Sequence, residues 1–143
     1  MSKWKVNKMK ISLIRDNKRP GEISSVYHEY KETEITSALI DEVGKLLLQG
    51  KIKRIEVNNI IDHIGMSIVV DGQKSQIGIV DEMNDVVYYY SNGSQSQRNV
   101  DLGGYTFKEW MICTQPETML SMLLEFIDSG KKLETVFWAS EEI

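Results

Sequence analysis

The side chains that most often carry out chemistry are scarce in this sequence. Its two histidines are His28 and His63, and its single cysteine is Cys113. Neither histidine has a second histidine or a cysteine at the spacing of a metal site. A catalytic cysteine needs a base beside it, and the sequence places none next to Cys113. The pattern predicts a buried structural thiol and ordinary histidines, with no metal ion and no cofactor.

Carboxylates and glycines give no stronger indication of catalysis. Asp81-Glu82 and Glu141-Glu142 are adjacent pairs, and neighbours in a strand face opposite sides, so adjacency does not make an acid–base pair. The sequence has no G-x-S-x-G, no P-loop and no G-x-G-x-x-G after a strand. Gly103-Gly104 is not placed between a strand and a helix, so we do not expect it to cradle phosphate. The sequence predicts a protein that is not an enzyme.

A surface for a protein partner is the remaining candidate. Tyr88, Tyr89 and Tyr90 are consecutive in a predicted strand, so Tyr88 and Tyr90 share one face and Tyr89 takes the other. Tyrosine is favoured in binding hot spots, although packing within the sheet and core explains two of the three equally well. An acidic turn precedes them and would suit a basic partner. The alternative interpretation is an ordinary solvated hairpin turn. The candidate partner-binding residues are Asp81, Glu82, Asp85, Tyr88, Tyr90 and Asn92.

Composition places the chain among small soluble proteins. Its 143 residues are most simply one domain, 1–143, and its formal net charge is −4. A nucleic-acid-binding protein is usually basic, so direct nucleic-acid binding is disfavoured, although residues 1–19 are rich in Lys and Arg. No segment resembles a signal peptide or approaches the length of a membrane span. We therefore expect a cytoplasmic protein that does not interact with membranes.

The stretch from Ile112 to Trp138 predicts a helix followed by a strand. Thr114 and Glu117 have the spacing of a capping box, and Pro116 suits the first turn. Apolar residues then recur at three- and four-residue steps, which is typical of an amphipathic helix. Gly130 is expected to end the helix, and Leu133 to Trp138 is rich in residues that favour strands.

The first half of the chain predicts a similar order. Glu34 to Leu48 forms an amphipathic helix that ends at Gly50, and Lys51 to Val57 is the following strand. Gly44 lowers helix propensity by about 1 kcal/mol relative to alanine, so a close packing contact is expected there.

Short strands fill the remaining sequence. Asp71-Gly72 predicts a tight hairpin, and short connections favour antiparallel pairing. The segment Glu22 to Lys31 is left open as strand or loop. The predicted fold is α+β, with an antiparallel sheet of about six to seven strands and two main helices packed on one face. Further strands are predicted for one or two segments between Trp4 and Leu13, for Met66 to Val70, Gln76 to Val80, Val86 to Tyr90 and Tyr105 to Cys113. Turns or loops are predicted at Pro20-Gly21, Asp81 to Asp85 and Ser91 to Gln97.

The C-terminal half resembles the immunity protein 1 family of bacterial polymorphic toxin systems. The resemblance covers roughly Ser75 to Trp138. It rests on the strand VVYYYSNG, the glycine pair before the next strand, and a helix that ends in a basic glycine turn followed by a Val-x-Trp strand. The matching residues are Glu125-Phe126, Ser129-Gly130-Lys131-Lys132 and Val136-Phe137-Trp138.

The resemblance implies a cytoplasmic antitoxin that performs no catalysis. Such a protein binds the toxic domain of a cognate toxin delivered between bacteria, often a nuclease or nucleic-acid deaminase, and covers its active site. A toxin that holds phosphate is expected to be basic, so an acidic inhibitor gains from charge complementarity. The six partner-binding residues are then toxin-binding. Two alternatives remain: a small-molecule-binding or enzymatic α+β domain with a pocket between sheet and helices, and a nucleic-acid-binding module that uses the basic N-terminus.

Overall fold

A computed structural model of the chain describes residues 9–16 and 25–143. The described part contains two α-helices and ten strands. The helices are α1, Ser37–Leu48, and α2, Pro116–Ser129. The strands are β1 Met9–Asp16, β2 Ser25–Tyr30, β3 Ile52–Asn59, β4 Ile64–Asp71, β5 Lys74–Asp81, β6 Val86–Ser91, β7 Asn99–Leu102, β8 Tyr105–Lys108, β9 Ile112–Cys113 and β10 Phe137–Glu142.

One large antiparallel sheet organises the fold. Its strand order is β10-β6-β5-β4-β3-β1-β2. The short β9 pairs with Ser75 and Gln76, near the start of β5. Strands β7 and β8 form a separate two-stranded hairpin. The tight β4–β5 hairpin turns at Gly72, whose φ of 63° is easy for glycine, so the hairpin predicted at Asp71-Gly72 is confirmed. The α+β prediction, with an antiparallel sheet and two helices, is also confirmed.

The two faces of the sheet are covered differently. On the helix-covered face, α1 and α2 pack on alternate residues of the central strands and form the main core. On the opposite face, here called the open face, the β7–β8 hairpin covers a small cluster of three buried residues, Val69, Leu102 and Ile112. Strand side chains alternate between faces, so Ile77 and Ile79 of β5 enter the main core while Val80 points to the open face.

Helix α1 begins three residues later than predicted. Thr36 is its N-cap, and the Thr36 hydroxyl accepts a hydrogen bond of 3.2 Å from the Leu39 N–H. The predicted start at Glu34 is wrong because Glu32–Glu34 form a separate 3₁₀ turn. The helix still ends next to Gly50, whose φ is 71°. A Cβ added to Gly44 would lie 3.4 Å from Leu120 of α2, so the expected close packing contact is present.

Helix α2 does not use the predicted capping box. Its N-cap is Gln115 rather than Thr114, and no side chain caps the helix. Pro116 is the first helical residue, and proline pushes the residue before it into extended backbone, which explains why the boundary falls at Gln115. The predicted end is correct, since Gly130 adopts the left-handed conformation, with φ 71°, and its N–H donates to the Phe126 carbonyl.

Among the strands predicted after α1, two differ from the structure by more than two residues at an end. The last strand runs from Phe137 to Glu142 rather than from Leu133 to Trp138. Leu133 instead lies in the preceding turn, where its carbonyl accepts a 2.8 Å hydrogen bond from the Trp138 indole N–H. Tyr105 to Cys113 is not one strand, because a 3₁₀ turn at Glu109–Met111 separates β8 from β9. Strand β7 was not predicted, since the polar run before it looks like loop.

The N-terminal predictions are tested in part. Met9–Asp16 is a strand, as the alternation predicted, and the segment left open as strand or loop contains the strand Ser25–Tyr30. The predicted turn at Pro20-Gly21 lies outside the described residues, as do Trp4 and Val6 of the N-terminal strand prediction.

Candidate protein-binding surface

Two turns lie side by side at one end of the large sheet. The first, residues 60–63, connects β3 to β4, and the second, residues 82–85, connects β5 to β6. They meet because β4 and β5 pair antiparallel, which places Ile64 opposite Asp81. The Glu82 N–H donates a 3.1 Å hydrogen bond to the His63 carbonyl, so the two turns are joined directly.

A side chain at the end of the preceding strand holds each turn. In the first turn, the Asn59 side-chain oxygen accepts the backbone N–H of Ile61 and of Asp62, at 3.2 and 3.1 Å. In the second turn, Asp81 accepts both the backbone N–H and the side-chain amide of Asn84, at 3.3 and 2.8 Å. Asn and Asp commonly fix turns in this way, so both loops have a defined shape.

Both turns finish in an uncommon backbone conformation. His63 has φ 51° and Asp85 has φ 53°, and they are the only non-glycine residues with positive φ in the described part of the chain. Left-handed backbone is uncommon for residues with a side chain, although His, Asn and Asp tolerate it best. The conformation turns each chain sharply back into the next strand and leaves the intervening side chains projecting outward.

The projecting side chains combine apolar and acidic groups. Ile60 is 58% exposed, Ile61 60% and Met83 70%, although turns normally carry polar residues. Asp62, Glu82 and Asp85 are also exposed. We call residues 60–63 and 82–85 together the turn surface. No Lys or Arg occurs from Ile55 to Gln73 or from Ser75 to Gln97, so no basic residue within these runs offsets its acidic charge.

A groove of about 400 Å³ leads from the turn surface onto the open face. Gly65 and Asn58 both line it, and a Cβ on residue 65 would come within 2.3 Å of the Asn58 side-chain oxygen, so glycine leaves room for the Asn58 side chain. Its wall includes Glu56, which forms a 2.6 Å ion pair with Arg54. Other lining residues include Ile60, His63, Ser67, Val80 and Glu82.

The structure brings together only some of the predicted partner-binding residues. Glu82 and Asp85 belong to the turn surface and are exposed. Asp81 lies at the end of β5 and is half-buried, with its carboxylate occupied in shaping the turn. The acidic turn was therefore identified correctly as a structural unit, and its two exposed carboxylates remain candidates for binding.

Tyr88 and Tyr90 lie on the helix-covered face and pack against the main core. The Tyr88 ring lies 4.7 Å from the Lys132 ammonium, and the Tyr90 ring meets Trp138 edge-on at 6.5 Å between ring centroids. Burial, with the neighbouring Cys113 thiol, raises the pKa of the Tyr90 phenol. Both tyrosines are half-buried, so packing accounts for much of their surface, and Tyr89 faces the opposite way.

Asn92 lies at the other end of β6 from the acidic turn. Six residues of extended chain, Val86–Ser91, separate it from Asp85, so the two residues are about 23 Å apart. Its side-chain amide donates hydrogen bonds of 2.8 Å to the Glu109 carbonyl and 3.0 Å to the Ile112 carbonyl. Asn92 thus fastens the loop to the start of β9. The six predicted residues do not form one continuous site.

The sequence prediction missed the apolar half of the turn surface. The sequence did not predict Ile60, Ile61 and Met83 as binding residues, because single apolar residues in short loops are common on protein surfaces. A usable signal was present, since Ile60-Ile61 follows Asn58-Asn59 and precedes Asp62, which puts two large apolar residues inside a turn. The contribution of the first turn could not be seen from sequence, because it depends on strand pairing.

Comparisons with known proteins give no relative for this chain. No protein-family model matches it, and neither a curated protein nor a solved structure matches it significantly. Neither α1 nor α2 is long and apolar enough to cross a membrane. Within residues 9–16 and 25–143, no group of three or more His, Cys, Asp or Glu side chains is arranged to hold a metal ion.

Proposed function

We propose that this protein is a bacterial immunity protein that binds a cognate toxin domain and blocks its active site. The turn surface is the observation that carries the proposal. Exposed apolar side chains on a rigid support are typical of binding sites, and interfaces place such anchors at their centre with polar residues around them. The resemblance of Ser75 to Trp138 to the immunity protein 1 family supplies the biological role. The protein acts in the cytoplasm, without binding nucleic acid or membrane itself.

Charge indicates the chemistry of the partner. The turn surface carries Asp62, Glu82 and Asp85, and the chain as a whole has a net charge of −4. A toxin domain that holds nucleic-acid phosphate presents basic residues at its active site, so the two surfaces attract each other. Such attraction accelerates association and weakens as salt screens it over about 10 Å at 0.1 M ionic strength. The partner is therefore a basic nuclease or nucleic-acid deaminase domain.

A growth assay tests the role. The toxin domain encoded next to this gene is expressed with and without this protein, and the purified pair is run on a sizing column. We expect toxicity alone, rescue on co-expression and a stable complex. Toxicity without rescue, together with no complex, would show that the protein is not the immunity partner.

Charge variants test the surface. Glu82→Lys with Asp85→Asn removes acidic charge from the turn surface, and Asn is chosen because it tolerates the left-handed backbone of Asp85. The matched control is Glu42→Lys with Glu134→Gln, at exposed positions elsewhere. We expect the first variant to weaken the complex about tenfold or more, and the control to bind as the natural protein does. Equal binding by both variants would exclude the turn surface.

One observation favours the alternative of a small-molecule-binding domain. The groove beside Gly65, at about 400 Å³, falls within the size range of ligand pockets, although it opens on the sheet surface rather than between sheet and helices. Gly65→Ala forces the Asn58 side chain, which lines the groove, to move. If the protein is a small-molecule-binding domain, Gly65→Ala should abolish binding of a ligand found by screening. Protection against a toxin is then not expected from either the natural protein or the variant. Under the immunity proposal, no such ligand is needed for the complex to form.

A further inference from the structure

Strand β10 forms one edge of the large sheet. It pairs with β6 on one side, and among the described residues no strand pairs with its other side. Its sequence, FWASEE, contains no proline and no lysine, and its register with β6 shows no bulge. Proline, bulges and charged side chains, above all lysine, are common means by which natural proteins protect an exposed edge from pairing with another chain. The only charged residues of β10 are Glu141 and Glu142, at its end.

The hydrogen-bond pattern identifies which residues present their backbone at this edge. Glu142 lies opposite Val86, so the next residue, Ile143, lies opposite Asp85, and the Ile143 N–H donates to the Asp85 carbonyl at 2.9 Å. Bonded residues alternate along an antiparallel strand. Glu141 and Ala139 therefore also direct their N–H and C=O groups to β6. The residues that direct theirs away from β6 are Trp138, Ser140 and Glu142.

This edge is continuous with the turn surface. The hydrogen bond between Ile143 and Asp85 places the end of β10 directly beside the second turn. Glu141, Glu142 and Ile143 are exposed, so the acidic and apolar character of the turn surface extends along the strand. Phe137, at the start of the strand, is 73% exposed and offers an apolar anchor at the other end.

We propose that the cognate toxin domain adds an extended strand to the β10 edge of the sheet. This inference rests on the proposed function and specifies how the partner binds. Backbone hydrogen bonds from Trp138, Ser140 and Glu142 supply the pairing, and the charges select the partner. The added strand carries Lys or Arg near Glu141 and Glu142 and an apolar residue near Phe137. The β10 strand of a second copy would bring no basic complement, because its sequence, FWASEE, contains no Lys or Arg.

Proline at position 140 tests the pairing directly. Ser140→Pro removes an N–H that points away from β6, and proline is tolerated at such edge positions. Ser140→Ala is the matched control, because it changes the side chain and retains the N–H. We expect Ser140→Pro to weaken the toxin complex about tenfold or more and Ser140→Ala to leave it unchanged. Ala139→Pro removes an N–H bonded to β6 and is expected to lower the melting temperature instead.

Residue-resolved amide exchange of the natural protein gives a second test that needs no variant. The Ser140 and Glu142 amides should exchange quickly in the free protein and become protected in the complex. The Ala139 and Glu141 amides should be protected in both. This alternation is specific to strand addition, because a partner that merely covers the surface protects neighbours without a two-residue period.

The outcomes separate the inference from the proposed function. If the natural protein gives no complex and no rescue, the proposed function is wrong. If the natural protein binds, Ser140→Pro binds equally well, and the Ser140 amide of the natural protein exchanges at the same rate free and bound, then the toxin binds elsewhere. In that case only the strand-addition inference is wrong. If the free protein forms a dimer in which the Ser140 amide is already protected, the edge belongs to a homodimer and the inference is also wrong.

Discussion

Phe126 and Phe137 have the same side chain and opposite surroundings. Phe126 lies on α2 in the main core and is 0% exposed, whereas Phe137 lies on the edge strand and is 73% exposed. The helix-covered face uses its apolar residues to hold the fold together. The open face, the edge and the turn surface leave apolar residues in water, where they contribute little to stability. These exposed apolar residues, rather than the buried ones, are available to bind a partner.

The open face has its own cover at one end. Besides the small cluster, the Arg54 guanidinium donates to the Tyr105 hydroxyl at 3.1 Å, and the Gly103 N–H donates to Asp71 at 3.1 Å. These contacts attach the β7–β8 hairpin to the sheet. The groove and the turn surface stay uncovered at the other end, so stability and binding are separated along the sheet as well as across it.

The largest difference in stability is expected between substitutions of the buried Phe126 and the exposed Phe137. Phe126→Ala should lower the free energy of unfolding by about 3–5 kcal/mol, because it leaves a cavity in the main core. Phe137→Ala should change it by only about 0.5 kcal/mol, because the ring is already in water. Urea denaturation measures both. If the two variants lowered the free energy of unfolding by similar amounts, the edge strand would contribute to stability as the main core does. The contrast between Phe126 and Phe137 would then be wrong.

The hairpin cluster should give an intermediate effect. Leu102→Ala is expected to lower the free energy of unfolding by about 2–3 kcal/mol, at the low end for a buried leucine, because so small a cluster can collapse around the cavity. Amide exchange should speed up in β7 and β8 more than in α2, since the hairpin can open locally. If exchange instead accelerated equally in α2, the hairpin and the helices would form one cooperative unit.

The N-cap of α1 should give a smaller effect on the helix-covered face. Thr36→Ala is expected to lower the free energy of unfolding by about 1 kcal/mol, because the Leu39 N–H loses its partner. Thr36→Ser retains the hydroxyl and serves as the control. Thermal unfolding compares the two, and a Thr36→Ser variant as unstable as Thr36→Ala would assign the effect to packing of the methyl group.

Tyr90 should give the smallest effect, and only at high pH. Burial and Cys113 raise the pKa of the Tyr90 phenol in the folded chain. The unfolded phenol ionises at about pH 10, so stability that is fully present below that pH falls as pH rises toward the folded-state pKa. Tyr90→Phe should reduce this fall.

Tyr89→Phe is the control for Tyr90, because it keeps the Tyr90 phenol in place. Urea denaturation at a series of pH values from 8 to 11, a range set by the phenol pKa of about 10, measures the slope. A slope unchanged in Tyr90→Phe would mean that another group controls unfolding in alkali.

Local patterns determined much of this fold. Glycine positions ended both helices correctly, the apolar steps of α2 predicted its buried face, and Asp71-Gly72 predicted a hairpin. These features depend on residues that are close in sequence, so sequence suffices for them. The predicted start of α2 and the predicted bounds of the last strand were wrong. Pro116 and the turn at Leu133 act through backbone geometry, which the pattern of apolar residues does not record.

The arrangement of the binding surface was decided by tertiary structure alone. Residues 60–63 and 82–85 meet only because β4 and β5 pair in one register, and the β10 edge lies beside them only because β10 pairs with β6. The sequence identified Glu82 and Asp85 as an acidic turn, but it could not show that Ile60 and Ile61 lie beside that turn or that the β10 edge adjoins it. Strand pairing joins distant segments through backbone groups that every residue carries, so it leaves no local sequence signature.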